Sequence, residues 1–329
     1  MSRRRQKRNQ EAFWSSHPGL FDLPSDEDPE KELTPMDAVD LTGVEPVRFI
    51  SFGSGSSGNC AYIGTRQSGL LIDAGVDNNY VEEQLITNSI NPDTIAGILL
   101  THDHSDHVRY AYAILRRHRH MKLFATNKAF NGLLRRHNMS RRIKDYHNPV
   151  FKEFPFQAGS FTVTAFETSH DGTDNAGFFI QGYDTTFVVA TDTGVLTSRA
   201  DAYIRKTRNL MIESNYDLKM LRNGRYPQHL KARIESTIGH LDNADTARYL
   251  AAVAPATGFR HVFLCHLSND NNTPQIALAT VRNALEDAGV AVCGEDSADE
   301  TRLHLSVLPR EVASLMVTLA QDEPGSTIS

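Results

Sequence analysis

Directly after the apolar run Ile98-Leu99-Leu100, the chain reads Thr101-His102-Asp103-His104-Ser105-Asp106-His107. Three histidines and two aspartates within six positions make a poor structural turn. Imidazole and carboxylate are the side chains that bind zinc, manganese or iron. A loop leaving a buried strand for a helix holds such groups on a rigid rim, where ligand sites are commonly built. One H-x-H pair carries little information. The full H-x-H-x-D-H run behind an apolar strand constrains the fold strongly.

The flanking sequence supplies the frame. Residues 47–52, 59–63 and 70–73 read as short strands separated by Gly/Ser turns. A helix with apolar positions Val81, Leu85 and Ile86 follows, then a buried strand at 98–101. Later strands are expected at 161–166, 177–183, 186–190, 210–213, 261–267 and 302–308, with helices at 244–253 and 274–288. Strand-rich halves with single helices inserted predict an α/β fold of two packed mixed sheets flanked by helices. Such an αββα sandwich suits the order better than a doubly wound sheet. Hydrophobic residues make up 40% of the chain, enough for a real core. Residues 1–45 begin basic, turn acidic around Asp26-Glu27-Asp28 and show no period, so a disordered extension is expected there. The folded domain is expected over 46–310, followed by a tail over 311–329.

Further ligands should come singly from other strand ends. His170 stands in Thr168-Ser169-His170-Asp171, Asp192 in Thr191-Asp192-Thr193-Gly194, and His266 closes His261-Val262-Phe263-Leu264-Cys265. Each alone is more often a hydrogen-bonded loop residue than a ligand. Together His102, His104, His107, His170 and His266 with Asp106 and Asp192 supply two metal shells.

With these motifs in order from about 47 to 308, the sequence resembles the metallo-β-lactamase-fold hydrolases. The resemblance implies that Asp73, in Leu71-Ile72-Asp73-Ala74-Gly75, orients ligands from behind. It implies that His102, His104 and His170 hold one metal, Asp106, His107 and His266 the other, and that Asp192 bridges them. The stretches 53–60, 213–217, Gly239-His240-Leu241 and 266–272 look like the YycJ/WalJ-type branch. That likeness implies exonuclease action on DNA from the 5′ end. Only 73 residues lie between Asp192 and His266, too few for the added cap domain of larger nucleases with this fold.

The chemistry implied is hydrolysis with two divalent ions, zinc or manganese with iron open, roughly 3.5–4 Å apart and sharing a hydroxide. Asp106 and Asp192 then belong to the catalytic set, and no Ser/His/Asp triad is required. His240 is the candidate proton donor, with a plain helix-start role equally open. Substrate contacts are expected at Ser56, Ser57 and Asn59, where a Gly/Ser loop can turn N–H groups towards a phosphate. A tight hairpin is the alternative there. Asn215 either touches substrate or closes a turn, and Asn271 is a further candidate contact.

A net charge of −6 gives no global nucleic-acid signature, yet one segment departs from it. From Arg109 to Lys144 there are eleven Lys/Arg and no Asp or Glu. Beside a metal motif this predicts a nucleic-acid face of little sequence specificity, for DNA with RNA open; an ordinary basic helix pair or a patch for an acidic partner is the alternative. Tyr110, Tyr112, Phe124 and Phe130 within it are read as packing residues. Cys60, Cys265 and Cys293 are odd in number and widely spaced, which fits a reducing cytoplasm. No apolar run approaches the ~18 residues needed to span a membrane. Two other readings stay open: hydrolysis of a small phosphodiester or thioester, and a non-catalytic nucleic-acid-binding or regulatory module. Lost ligands would mark the last, and all seven are present.

Overall fold

Apolar strands and one-sided helices sort into layers in the computed structural model, which describes residues 45–321 apart from 295, 296, 298 and 300. The expectation for the N-terminal extension therefore falls outside the described residues. The strands of the first half are β1 (Arg48–Gly55), β2 (Gly58–Gly64), β3 (Gly69–Ile72), β4 (Ile95–Leu99), β5 (Lys122–Thr126), β6 (His147–Val150) and β7 (Phe156–Ala158). Then come β8 (Phe161–Glu167), β9 (Ala176–Gly182), β10 (Thr185–Ala190), β11 (Asn209–Glu213), β12 (His261–Cys265), β13 (Val292–Cys293), β14 (Leu303–Val307) and β15 (Val317–Thr318). The early helices are α1 (Asn78–Thr87), α2 (Ser105–Val108), α3 (Ala111–Arg117), α4 (Asn127–Arg136) and α5 (Ser198–Ile204). They are followed by α6 (Leu218–Asn223), α7 (Gln228–Ile234), α8 (Asn243–Thr257) and α9 (Pro274–Asp287).

One sheet has the order β15-β1-β2-β3-β4-β5-β6, the other β13-β14-β12-β11-β10-β9-β8-β7. Each is mixed. In the first, pairing turns from antiparallel to parallel at β3 and β4; in the second, at β10 and β11. The inner faces meet through Phe49, Ile63, Leu70 and Leu99 on one side and Phe178, Phe187, Met211 and Phe263 on the other. Phe49 lies 4.7 Å from Phe263 and 5.0 Å from Phe187, ring centre to ring centre. The outer face of the first sheet is covered by α1, α3 and α4, and that of the second by α5, α8 and α9. Three apolar layers between four layers of structure are the expected αββα sandwich.

Several elements differ from expectation. Ile86 is 72% exposed, because α1 buries Val81 and Leu85, and the next residue points about 100° away. The strand β6 contains Pro149, which a sheet accepts only where no ladder partner is needed; β6 is an edge strand. All three cysteines are buried and free. Among the described residues no helix is long and apolar enough to cross a membrane.

The largest correction concerns the expected tail from 311. Its described part is a strap. Ser314 N–H donates to Ser51 O (2.8 Å), Val317 pairs with Phe49, and Leu319 N–H donates to Val47 O (2.8 Å). The Leu319 side chain enters the core between the sheets. Ala320 is then held at both backbone groups by the Asn209 amide of β11, at 2.9 and 3.1 Å. A segment without visible period thus ties the first sheet to the second.

Candidate metal centre

Parallel strands in one sheet finish at a common edge, and ligand sites in such sheets gather outside those carboxyl ends. Here polar residues just beyond β3, β4, β8, β10 and β12, with Glu213 at the end of β11, turn into one cluster. Asp73, directly after β3, accepts from Thr101 N–H (2.9 Å) and lies 2.7 Å from His107 Nδ1. This holds the metal-motif loop at its start and at its last histidine. The turn of α2 presents Asp106 and His107, with His104 at its N-cap position. His107 Nδ1 serves Asp73, so Nε2 faces the cluster, 3.5 Å from Asp106 Oδ2 and 3.4 Å from Asp192 Oδ2.

His170 is turned in the same way. Its Nδ1–H donates to Gly239 O (2.8 Å), leaving Nε2 at 3.3 Å from His104 Nδ1 and 3.7 Å from Asp192 Oδ1. Asp192 follows β10 and is 2% exposed. His266 follows β12, with Nδ1 3.3 Å from Asp192 Oδ1 and Nε2 3.5 Å from Asp106 Oδ2. Its backbone N–H donates to Ser54 Oγ, which joins the two sheets at this edge. Asp73, Asp192 and His266 all hold left-handed backbone, with φ of 59°, 50° and 55°. The sharp reversal lets a residue at the end of a straight strand aim its side chain across the edge.

Four overlapping groups result among the described residues: His102, His104 and His170; Asp106, His107 and His266; His102, His107 and Asp192; and Asp192, Glu213, His240 and His266. Within each group one nitrogen or oxygen per residue lies within 4.8 Å of the others. Four ligands about 2.0–2.1 Å from a zinc ion sit about 3.4 Å apart at the corners of a tetrahedron. The separations of 3.3 to 3.5 Å among His104, His170, Asp106, His107 and His266 match that edge length. His102 Nε2 is buried without a hydrogen-bond partner, an arrangement that costs free energy unless a ligand answers it.

The electrostatics agree. Burial, reinforced by neighbouring histidines, lowers His102 and His104 below the ordinary histidine value, so both stand as neutral imidazoles ready to donate a lone pair. Burial opposes charge on His266 too, yet Asp192, Asp106 and Glu213 push it up to about 10. Burial likewise opposes ionisation of Asp192, but His266, His107, His102 and His170 take it well below the carboxylate range. A cation placed among these groups displaces protons from imidazoles that the carboxylates favour charged.

A family model described as the beta-lactamase superfamily domain matches residues 69–266. The chain belongs to the metallo-β-lactamase superfamily. It is 33% identical to the exodeoxyribonuclease YycJ of Bacillus anthracis over 252 residues, covering 75% of this chain and 92% of that protein. It is 30% identical to the exodeoxyribonuclease WalJ of Streptococcus pneumoniae, covering 74% of this chain and 90% of that one. The solved metallo-β-lactamase-fold protein YhfI of Bacillus subtilis superposes with a TM-score of 0.58 at 13% identity, over 82% of this chain and 99% of that one. The last likeness speaks to the fold; the first two place the chain in the YycJ/WalJ branch. It is a metal-dependent hydrolase of that superfamily.

Within this metallo-β-lactamase centre the remaining expectations divide. Ser56 and Ser57 are the exposed tip of the β1–β2 hairpin, with Gly53 and Gly55 already in the strand. A tight hairpin forms here, and it leaves both serine side chains exposed. Asn59 is buried, its amide 3.3 Å from Asp106 Oδ2 and 3.0 Å from His107 Nε2. Asn215 takes the turn-closing alternative, and Asn271 departs from the expected substrate contact: both are buried at the loop that carries His266. Asn215 Nδ2 donates to His266 O (2.7 Å), and Asn271 bonds to Ser268 Oγ through its N–H (3.2 Å) and its amide (3.4 Å). Their amides shape that loop instead of facing a substrate.

Sequence reasoning gave Glu213 no role. Fully buried at the end of β11, it places Oε1 2.7 Å from His240 Nδ1 and 2.9 Å from His266 Nδ1. Oε2 accepts from Thr193 N–H at 2.8 Å. Burial raises its pKa, but His240 and His266 more than offset this and keep it ionised. The available signal was a lone carboxylate ending the apolar run Leu210-Met211-Ile212. Asp103 was also unassigned: it accepts from Thr173 N–H (2.8 Å) and Oγ1 (2.6 Å), tying the metal-motif loop to residues 171–175.

Proposed function

We propose that the chain is a DNA exonuclease that removes nucleotides from the 5′ end. The observation that carries this reading is the pair of ligand groups joined through Asp192, in a chain whose relatives are named exodeoxyribonucleases. His102, His104 and His170 would hold one divalent cation, Asp106, His107 and His266 a second, and Asp192 both; zinc and manganese each suit this nitrogen and oxygen set. When bound, such a pair supplies a water activated at neutral pH and neutralises charge on the phosphoryl group.

The chain's own residues complete the reaction. Asp73 and Gly239 O fix the tautomers of His107 and His170, so each ring offers Nε2. Glu213 takes the Nδ1–H of His240, leaving Nε2 of this half-buried ring to pass a proton to the departing alkoxide. His240→Ala should lower kcat on DNA by about 10²–10⁴-fold. A nitrophenyl nucleotide ester leaves as a stable phenolate and should lose far less. Equal losses on both substrates would remove His240 from the donor role.

Of the eleven cations from Arg109 to Lys144, all are exposed, but only some stand near the centre. Arg109 follows His107 by two residues and reaches the hairpin tip, Nη1 to Ser57 O at 3.4 Å. Lys128, Arg135 and Arg136 lie on α4, with Arg136 Nε 3.4 Å from Asp103 Oδ2. Lys122 opens β5, and Arg141, Arg142 and Lys144 precede β6, towards the opposite ends of those strands. The deciding experiment uses end-labelled linear DNA, 5′-phosphorylated or not, with Mn²⁺ or Zn²⁺ over a salt series. Stepwise loss from the 5′ end, weakened by salt, supports the reading. Intact DNA beside rapid cleavage of a small phosphodiester or thioester overturns it.

A further inference from the structure

Among the described residues the exposed large apolar side chains include two aromatic rings, Phe151 at 60% and Phe154 at 70%. Both belong to one turn, residues 151–154, closed by Phe154 N–H donating to Phe151 O at 3.3 Å. Scattered apolar side chains are ordinary on a surface; two rings within one four-residue turn are concentrated, and concentrated exposed apolar surface marks contact sites.

The turn is built into the metal edge. The strands β4, β5 and β6 are parallel, so the carboxyl end of β6, where Phe151 begins, lies at the same edge as the metal-motif loop after β4. Two strand spacings separate them, about 10 Å. Glu153, with φ of 67°, donates its N–H to Ala165 O (2.8 Å) on β8, the strand that leads to His170. Lys152 Nζ bonds Asp174 Oδ1 (2.7 Å), whose other oxygen accepts from Thr126 Oγ1 (2.6 Å) at the end of β5. Asp174 neighbours Thr173, which Asp103 of the metal motif holds. The turn is thus anchored to β8 and to Asp174, and the rings are what it leaves exposed.

On α4, Lys128 lies in the first turn, directly after the carboxyl end of β5, and Arg136 Nε stands 3.4 Å from Asp103 Oδ2 of the metal motif; cations here complement a phosphodiester backbone. Aromatic faces beside a cationic track suit unpaired bases, whose π faces are free; in a duplex those faces are covered by neighbouring pairs. We propose that Phe151 and Phe154 form a stacking platform beside the metal centre and that the strand drawn into the site is single-stranded. This rests on the nuclease reading and names the form of its substrate.

The test is binding of a fluorescent oligothymidylate, an abasic strand of equal length and a blunt duplex to full-length Asp192→Asn protein. Adding Phe151→Ala and Phe154→Ala should weaken oligothymidylate binding on the order of 100-fold. Abasic-strand and duplex binding should hold, and Phe→Trp at both positions should restore the affinity. Unchanged oligothymidylate binding in the double alanine protein overturns the proposal, as does an equal loss with the abasic strand. Wild-type protein that cuts no DNA while binding oligothymidylate through the two rings would defeat the exonuclease reading and uphold the platform.

Discussion

Replacing Asp192 with asparagine should lower hydrolysis by more than about 100-fold, the upper range for loss of groups that merely support metal ligands. In the proposed centre Asp192 is closer to the chemistry than those groups. Its two oxygens face His266 at 3.3 Å, His107 at 3.4 Å and His170 at 3.7 Å, so it stands between both ligand groups. Asparagine keeps the shape and removes the charge. Metal content, measured by elemental analysis after dialysis, should fall with activity, while circular dichroism and DNA binding should persist. Full turnover in a metal-depleted Asp192→Asn protein would end the two-cation account.

Gly75→Ala should be the most damaging single-methyl change in the chain. A Cβ there would lie 1.5 Å from Asp106 O and 2.9 Å from Asn59 N. Neither neighbour is a side chain that can swing aside. Gly75 N–H also donates to Asn59 O (2.8 Å), so backing away costs a hydrogen bond as well. The methyl must displace the backbone of Asp106, and with it the second ligand group. We expect a loss of about 3 kcal/mol or more, at the high end of overpacking costs, read as a fall in Tm of several degrees. Gly294→Ala, where no described residue lies within 4 Å, is the control and should leave Tm unchanged. A Gly75→Ala protein with native Tm and metal content would show that the α2 turn is far looser than its packing implies.

Much of this was legible in the sequence because the chemistry is concentrated. Two packed sheets follow from apolar runs that alternate with Gly/Ser turns, and His102 to His107 announce themselves as a block. His170, Asp192 and His266 were findable because each ends an apolar strand. Glu213 ends one too, but without a second ligand type beside it a single carboxylate carries no pattern. Asn215 was left between two roles and Asn271 was assigned outward because loop asparagines serve equally as contacts and as internal braces, and only burial separates the two. The strand β5 was hidden inside the basic segment, and β6 behind a proline. The strap after residue 310 holds by backbone pairing and one buried leucine, which leave little trace in residue type.

The left-handed residues have a consequence over longer times. Residues with a Cβ stand uneasily at positive φ, at roughly 1–2 kcal/mol for most side chains and less for asparagine, aspartate and histidine. At Asp73, Asp192 and His266 that cost is carried for the sake of the centre. A lineage freed from selection for hydrolysis would gain stability by exchanging them for asparagine or glycine. Neutral drift would therefore run downhill at these three sites, and a gene copy that had lost the activity should show its first substitutions there, before the core strands change.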